Sequence, residues 1–244
     1  MQVKRVWGFR IYFLLLCLTG CKIGPDDETT DIKVKAELQK AAISKIAADM
    51  VHVIDGAFLD GCPDDSGQKN WVAVRNFYIS KFEVSQDEWE AIMDTNPSLN
   101  KCPTCPVSNI NFNKAQKFIM KLNSLSGKKY RLPSDVEWKF MKRGGRPSIG
   151  YKYSSNKFSG FDSLPINIHD VGQLDSNELG IYDLDSNDAW EFCNALVQTG
   201  YIQVMRSAYS VREDHDRRWC VISYRSFISP KRRENCLGLR LARD

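Results

Sequence analysis

The run Lys128-Lys129-Tyr130-Arg131-Leu132-Pro133-Ser134-Asp135-Val136-Glu137-Trp138, closed by Arg143-Gly144-Gly145, leaves its backbone few choices. Tyr130 to Leu132 read as a short buried strand, and Pro133 stops it because proline has no N–H for a ladder. Ser134 and Glu137 form a capping box. The hydroxyl accepts a helix N–H that lacks an intrahelical partner, and the carboxylate accepts the cap's own N–H. Trp138, Phe140 and Met141 give the following helix an apolar side. Gly144 and Gly145 end it where left-handed backbone is needed.

The N-terminus reads as a targeting segment. Residues 1–20 hold Lys4, Arg5 and Arg10 and no acid. Ile11 to Leu18 is apolar but too short to span a bilayer. It runs into Leu18-Thr19-Gly20-Cys21, which resembles a bacterial lipobox. The resemblance implies cleavage before Cys21, lipidation of that residue, and a lipid-anchored protein of the bacterial envelope, on the periplasmic or surface face of the outer membrane. Acyl chains contribute about 0.8 kcal/mol per buried methylene, so several chains anchor stably. Three of the four net positive charges leave with this segment. The near-neutral remainder offers no electrostatic case for nucleic acid.

Six cysteines remain after Cys17 and Cys21: Cys62, Cys102, Cys105, Cys193, Cys220 and Cys236. An even count in an exported domain permits disulfides without choosing their pairing. Cys102-Pro103-Thr104-Cys105 is a CxxC, but a four-thiolate zinc site needs a second pair and none exists. It also lacks the βαβ setting of redox CxxC chemistry. A local disulfide or two thiols in a loop is the expectation.

Three segments follow: a signal peptide over 1–20, a tether with a short helix over 21–49, and one domain over 50–244. Residues 22–30 are polar, with Gly and Pro, and read as tether. Asp26, Asp27 and Glu28 beside the lipidated cysteine resemble surface-export signals of some Bacteroidetes lipoproteins. Ile32, Leu38, Ala41, Ile46 and Ala47 mark a helix face over 32–48. Val51 to Ile54 and Phe77 to Val84 have strand character. Ser85 and Glu88 form a second capping box, opening a helix over Gln86–Met93. Asn113 caps a helix over 114–125 whose Ala115, Phe118, Ile119 and Leu122 share one face. Residues 146–178 read as long loops rich in Ser, Gly, Asn and Asp.

Taken together, these segments resemble the formylglycine-generating enzyme (sulfatase-modifying factor) family. The opening run is similar to its Arg-Leu-Pro-Thr-Glu-Ala-Glu-Trp…Arg-Gly-Gly signature. Phe77–Trp89, Pro106–Phe112, Val171-Gly172, Asn177–Leu184, Asn187–Phe192 and Gly238–Leu241 resemble further family segments in the family's order. The resemblance implies an α+β fold related to C-type lectins, with much irregular loop structure.

Family activity requires two thiolates, spaced C-x4-C, that hold copper and activate oxygen; soft ligands select Cu(I). Counting back from Ser223-Tyr224-Arg225-Ser226, those positions fall on Arg212 and Arg217. Arginine is permanently protonated and cannot ligate a soft metal, so copper is not expected. Cys220, with His215, is a fallback pair. A related three-His iron branch is not matched by His52, His169 and His215. The resemblance also implies a structural calcium at Asp183, Asn187, the Ala189 carbonyl and Glu191, with one extra residue between Tyr182 and Trp190.

Residues 206–240 hold nine bases against four acids, with aromatics interleaved. Arg206, Tyr209, Arg212, Arg217, Arg218 and Trp219 form a candidate face for a glycan, an anionic ligand or a protein partner. The reading that follows is a non-catalytic binding or assembly module. The alternatives are an oxidase with a rearranged site around Cys220, or a diversified lectin-like display protein.

Overall fold

The structure is a computed structural model, and it describes residues 25–60, 70–145, 169–173, 176–184, 190–196, 202–206, 224–233, 235 and 237–244. Four helices and ten strands are described: α1 (Pro25–Ala48), β1 (Met50–Val53), β2 (Gly56–Asp60), β3 (Asn70–Val74), β4 (Phe77–Ser80), α2 (Gln86–Met93), α3 (Phe112–Ser126), β5 (Tyr130–Arg131), α4 (Asp135–Lys142), β6 (Trp190–Leu196), β7 (Ile202–Arg206), β8 (Tyr224–Ile228), β9 (Leu237–Gly238) and β10 (Ala242–Arg243).

Helices and sheets together make the α+β fold that was expected. Two four-stranded sheets run β1-β4-β10-β5 and β8-β7-β6-β9, and β2 pairs with β3 as a hairpin. The first sheet is antiparallel throughout, with Met50 opposite Ser80 and Ala242 bridging Ile79 and Arg131. In the second, β6 and β9 run parallel, with Trp190 opposite Leu237.

The capping box behaves as its spacing requires. Glu137 N donates to Ser134 Oγ at 3.1 Å, and Ser134 N donates to Glu137 Oε2 at 2.8 Å. Each bond satisfies a group that the helix itself leaves open. Arg131 then grips the same carboxylate through both terminal nitrogens, at 2.8 and 2.7 Å. Gly144 and Gly145 take φ of 76° and 84°, ending α4 in the left-handed region. At α2 the return half of the second box is present, with Ser85 N donating to Glu88 Oε2 at 2.9 Å.

The core has two parts. One gathers Trp89, Ile92, Phe118, Leu122, Leu132, Leu239 and Leu241 between α2, α3 and the chain's last strands. Trp89 and Phe118 stack there with centroids 4.9 Å apart. The other gathers Val53, Phe58, Phe77, Ile79, Trp138, Phe140 and Ile181.

Three local expectations need correction. The segment expected as tether is helical from Pro25, so α1 reaches further back than residue 32. Of its expected face only Ile46 is buried. Ile32 and Leu38 are exposed, and Ala42 and Ile46, one turn apart, make the contact. The cap of α3 is Asn111, not Asn113: Asn111 accepts from Lys114 N at 3.0 Å. Starting α3 at Phe112 lets that ring pack edge-on against Phe192.

Candidate functional site

Arg240 lies between β9 and β10 and is fully buried. A buried guanidinium must have its donors met and its charge balanced. Nε and Nη2 donate to Glu191 Oε1 at 3.2 and 3.1 Å, and Nε also reaches Oε2 at 3.3 Å. Nη1 donates to the Ser80 and Lys81 carbonyls at 3.0 and 2.6 Å, and Nη2 to the Tyr182 carbonyl at 3.1 Å. One side chain therefore ties the end of β4, the loop before β6, and β6 itself. Trp138 Nε1 in α4 donates to Glu191 Oε2 at 2.8 Å, joining a fourth element to the same carboxylate.

Two further carboxyls stand near this pair. Glu83, just past β4, is buried and lies against Gly238, where an added Cβ would sit 2.4 Å from its Oε1. Burial pushes the Glu83 carboxyl well above the usual range, Glu191 adds to the rise, Arg240 opposes it, and Asp183 adds a smaller push. Asp183 has φ 61° and accepts a hydrogen bond from Gly172 N. Three carboxyls thus share the neighbourhood of one guanidinium. With so little solvent access, the arrangement organises the fold and holds charge; it does not present a reactive group to a substrate.

Asp183 and Glu191, two of the four expected calcium donors, are therefore brought to one place. Asn187 and Ala189 lie outside the described residues. A hard cation takes several oxygens at once; Asp183 can offer one, but the three carboxyls do not by themselves converge into a metal-sized group. Glu191 fits less well, because both its oxygens already accept from Arg240 and Trp138, so any ion would share it.

Of the candidate ligand face, only the margin lies among the described residues. Arg206 ends β7, opposite Tyr224 of β8. Tyr209, Arg212, His215, Arg217, Arg218, Trp219 and Cys220 lie outside the described residues, as do Cys21, Cys62 and Cys236. Cys193 is a buried thiol in β6. Cys102 and Cys105 form a disulfide, which settles the choice that the CxxC spacing left open. No helix among the described residues is long and apolar enough to cross a membrane.

Sequence reading missed the role of Glu83 and placed Arg240 only within the Gly238–Leu241 segment, without its partners. The signal available was the pairing of an arginine in Gly238–Leu241 with the acid in Trp190-Glu191, two segments already noted for other reasons.

Residues 35–244 match the model of the sulfatase-modifying factor enzyme 1-like domain. A chaperone protein, LppX, of Paenibacillus barcinonensis is 26% identical over a 198-residue alignment that covers 58% of this chain and 70% of that protein. Among solved structures, PvdO from Pseudomonas aeruginosa is similar at a TM-score of 0.60 and 20% identity, covering 80% of this chain and 94% of the other. Treponema denticola variable protein 1 is similar at 0.59 and 23% identity, with the same coverage. CarF follows at 0.55 and 20% identity, covering 80% of this chain and 97% of the other. At these identities the likeness concerns the fold.

Proposed function

This chain belongs to the sulfatase-modifying factor enzyme 1-like family, and from that premise we propose that it is an envelope-anchored lipoprotein whose domain binds or assembles a partner and does not oxidise cysteine. What supports the reading is that an ungapped count back from Arg225 puts arginines, Arg212 and Arg217, where family chemistry needs two thiolates. Copper does not fit that donor set, since a guanidinium has no lone pair to offer a soft ion. The similarity to a relative named as a chaperone supports a role in handling another molecule.

The working surface in this proposal is the basic, aromatic segment with Arg206, Tyr209, Arg212, Arg217, Arg218 and Trp219. Forked arginine donors and flat rings suit an anionic or glycan-bearing ligand, or a protein partner that displays one. Cys21 carries the lipid. A structural calcium at Asp183, Asn187, the Ala189 carbonyl and Glu191 belongs to the same reading. It would supply charge compensation for the carboxyls around Arg240.

The test is a Cu(I) titration of the mature chain, with its Cys102–Cys105 disulfide left oxidised, joined to an oxidase assay on a cysteine-containing sulfatase peptide. Neither stoichiometric copper nor aldehyde is expected. Tight binding of one copper with aldehyde formation would restore the oxidase alternative around Cys220 and His215. In parallel, Cys21→Ser should move the protein from the membrane fraction to the soluble one.

A further inference from the structure

The Cys102–Cys105 loop has a third donor beside it that comes from far along the chain. Asp170 Oδ1 lies 3.4 Å from Cys102 Sγ and 3.8 Å from Cys105 Sγ. The two sulfurs and this carboxylate oxygen all fall within 4.8 Å of one another. Thr104 Oγ1 hydrogen-bonds the same oxygen, and Val171 N donates to the Thr104 carbonyl at 3.0 Å. The 170–171 segment is thereby stitched to the loop.

The loop's shape is held by bonds other than the disulfide. Gln86 N donates to the Cys105 carbonyl at 2.9 Å, Asp87 N to the Pro103 carbonyl at 2.9 Å, and Cys105 N to the Cys102 carbonyl at 3.0 Å. Cys102 N donates to Gln86 Oε1 at 3.1 Å, and Gln86 is fully buried. None of these bonds involves a sulfur, so reduction of the disulfide breaks none of them directly. The bridge also closes so short a loop that it restrains the unfolded chain little, so it is poorly explained as a staple. Cys105 is buried and Cys102 half-buried, while Asp170 and Thr104 are exposed, so the three donors open to solvent on one side.

We propose that Cys102, Cys105 and Asp170 form a redox-gated site for a thiophilic divalent cation of the zinc type. As a disulfide the pair offers no thiolate and the site is closed. A dithiol reductant gives two electrons and two protons to the S–S bond and leaves as its own disulfide, and the chain is left with two thiols. Binding of the cation then releases both thiol protons and sets two Sγ ligands and one carboxylate oxygen around it. Two cysteines spaced C-x2-C are a common zinc spacing, and three protein ligands leave a fourth position for water. Proton release on loading makes the affinity rise with pH. The second cysteine pair that zinc seemed to need is replaced here by a carboxylate 65 residues away.

Cobalt(II) serves as the probe, because thiolate coordination to it gives a charge-transfer band, with Zn(II) as competitor. The mature chain is compared oxidised and after reduction by a phosphine that is then removed. The reduced chain should take up one equivalent with the thiolate band, lost on adding Zn(II), and the oxidised chain none. Cys102→Ser/Cys105→Ser should abolish uptake, and Asp170→Asn should weaken it by about tenfold or more, as loss of even an outer-shell partner does at metal sites. Absence of the band in the reduced wild-type chain overturns the proposal, and that comparison needs no variant. Its persistence in the double serine variant, or unchanged affinity in Asp170→Asn, overturns it equally. Thermal unfolding of each variant checks that it is folded.

Discussion

Arg240 and Glu191 meet where water does not reach: their side chains are 0% and 4% exposed, with Nη2 and Oε1 3.1 Å apart. A buried ion pair is costly to break from one side, because the remaining charge stays buried without a counter-charge. Arg240→Leu should therefore cost about 3–5 kcal/mol. Arg240→Lys should rescue little, since one ammonium cannot reach Glu191 and three backbone carbonyls at once. Urea unfolding with an unchanged m-value would read this as lost stability; a loss under 1 kcal/mol (roughly that of an exposed pair) would contradict it.

Trp138→Phe keeps most of the ring in the core and removes the Nε1 bond to Glu191. Hydrogen bonds to charged groups are worth about 1.5–3 kcal/mol, so a loss near 2 kcal/mol is expected. A double-mutant cycle with Glu191→Met, which removes both acceptor oxygens, separates the bond from ring packing, and coupling close to zero counts against it.

Glu83 sets a pH dependence of definite sign. Burial, with the nearby Glu191, raises its folded-state pKa against the pull of Arg240. Between the unfolded and folded values the folded chain holds a proton that the unfolded chain has lost. Stability therefore falls as pH rises through that window. Glu83→Gln imitates the protonated form, so its stability should vary less with pH, and its advantage over wild type should widen as pH rises. Denaturant unfolding in chelator, followed as pH rises from the ordinary carboxylate range upward, reads the change; parallel profiles would refute it.

Calcium should act on the same cluster. If Asp183 and Glu191 help to hold the ion, calcium raises the melting temperature of the wild-type chain, and chelator reverses the rise, because a ligand of the native state stabilises it by mass action. Asp183→Ala should abolish that response. An identical melting temperature with calcium and with chelator removes the ion from the proposed function.

Gly144 has φ +76°, and an added Cβ would lie 2.3 Å from Glu178 Oε2. Gly144→Ala must move that carboxylate and also hold alanine in left-handed backbone, at about 1–2 kcal/mol for the backbone alone. Gly127→Ala meets open space at φ +66° and should carry only the backbone cost. The difference between the two melting curves isolates the Glu178 contact.

What could be read in the sequence was local. The Ser134–Glu137 box spans three residues, the Gly144-Gly145 stop follows at once, and α3 shows its buried face at helical spacing, so each was visible before the fold. Asn111 was missed in favour of Asn113 because the choice depends on Phe112 finding Phe192, which is distant in sequence. The exposed Ile32 and Leu38 misled for the same reason: α1 buries Ala42 and Ile46 near its end, while its apolar residues further back stay exposed. The ionic centre joins Glu191 to Arg240 across 49 positions, and Asp170 reaches Cys102 across 68. No periodicity carries such pairings.

The placement of β10 has a consequence for biogenesis. Ala242 and Arg243 are not an edge strand; they lie between β4 and β5, bonded on both sides. Until those residues leave the ribosome, the first sheet has a gap at its middle and Arg240 cannot reach β4. The domain therefore cannot close progressively from its N-terminus as it is made. The β4–β10–β5 pairing and the bonds of Arg240 to the end of β4 form together, once the segment holding both is available.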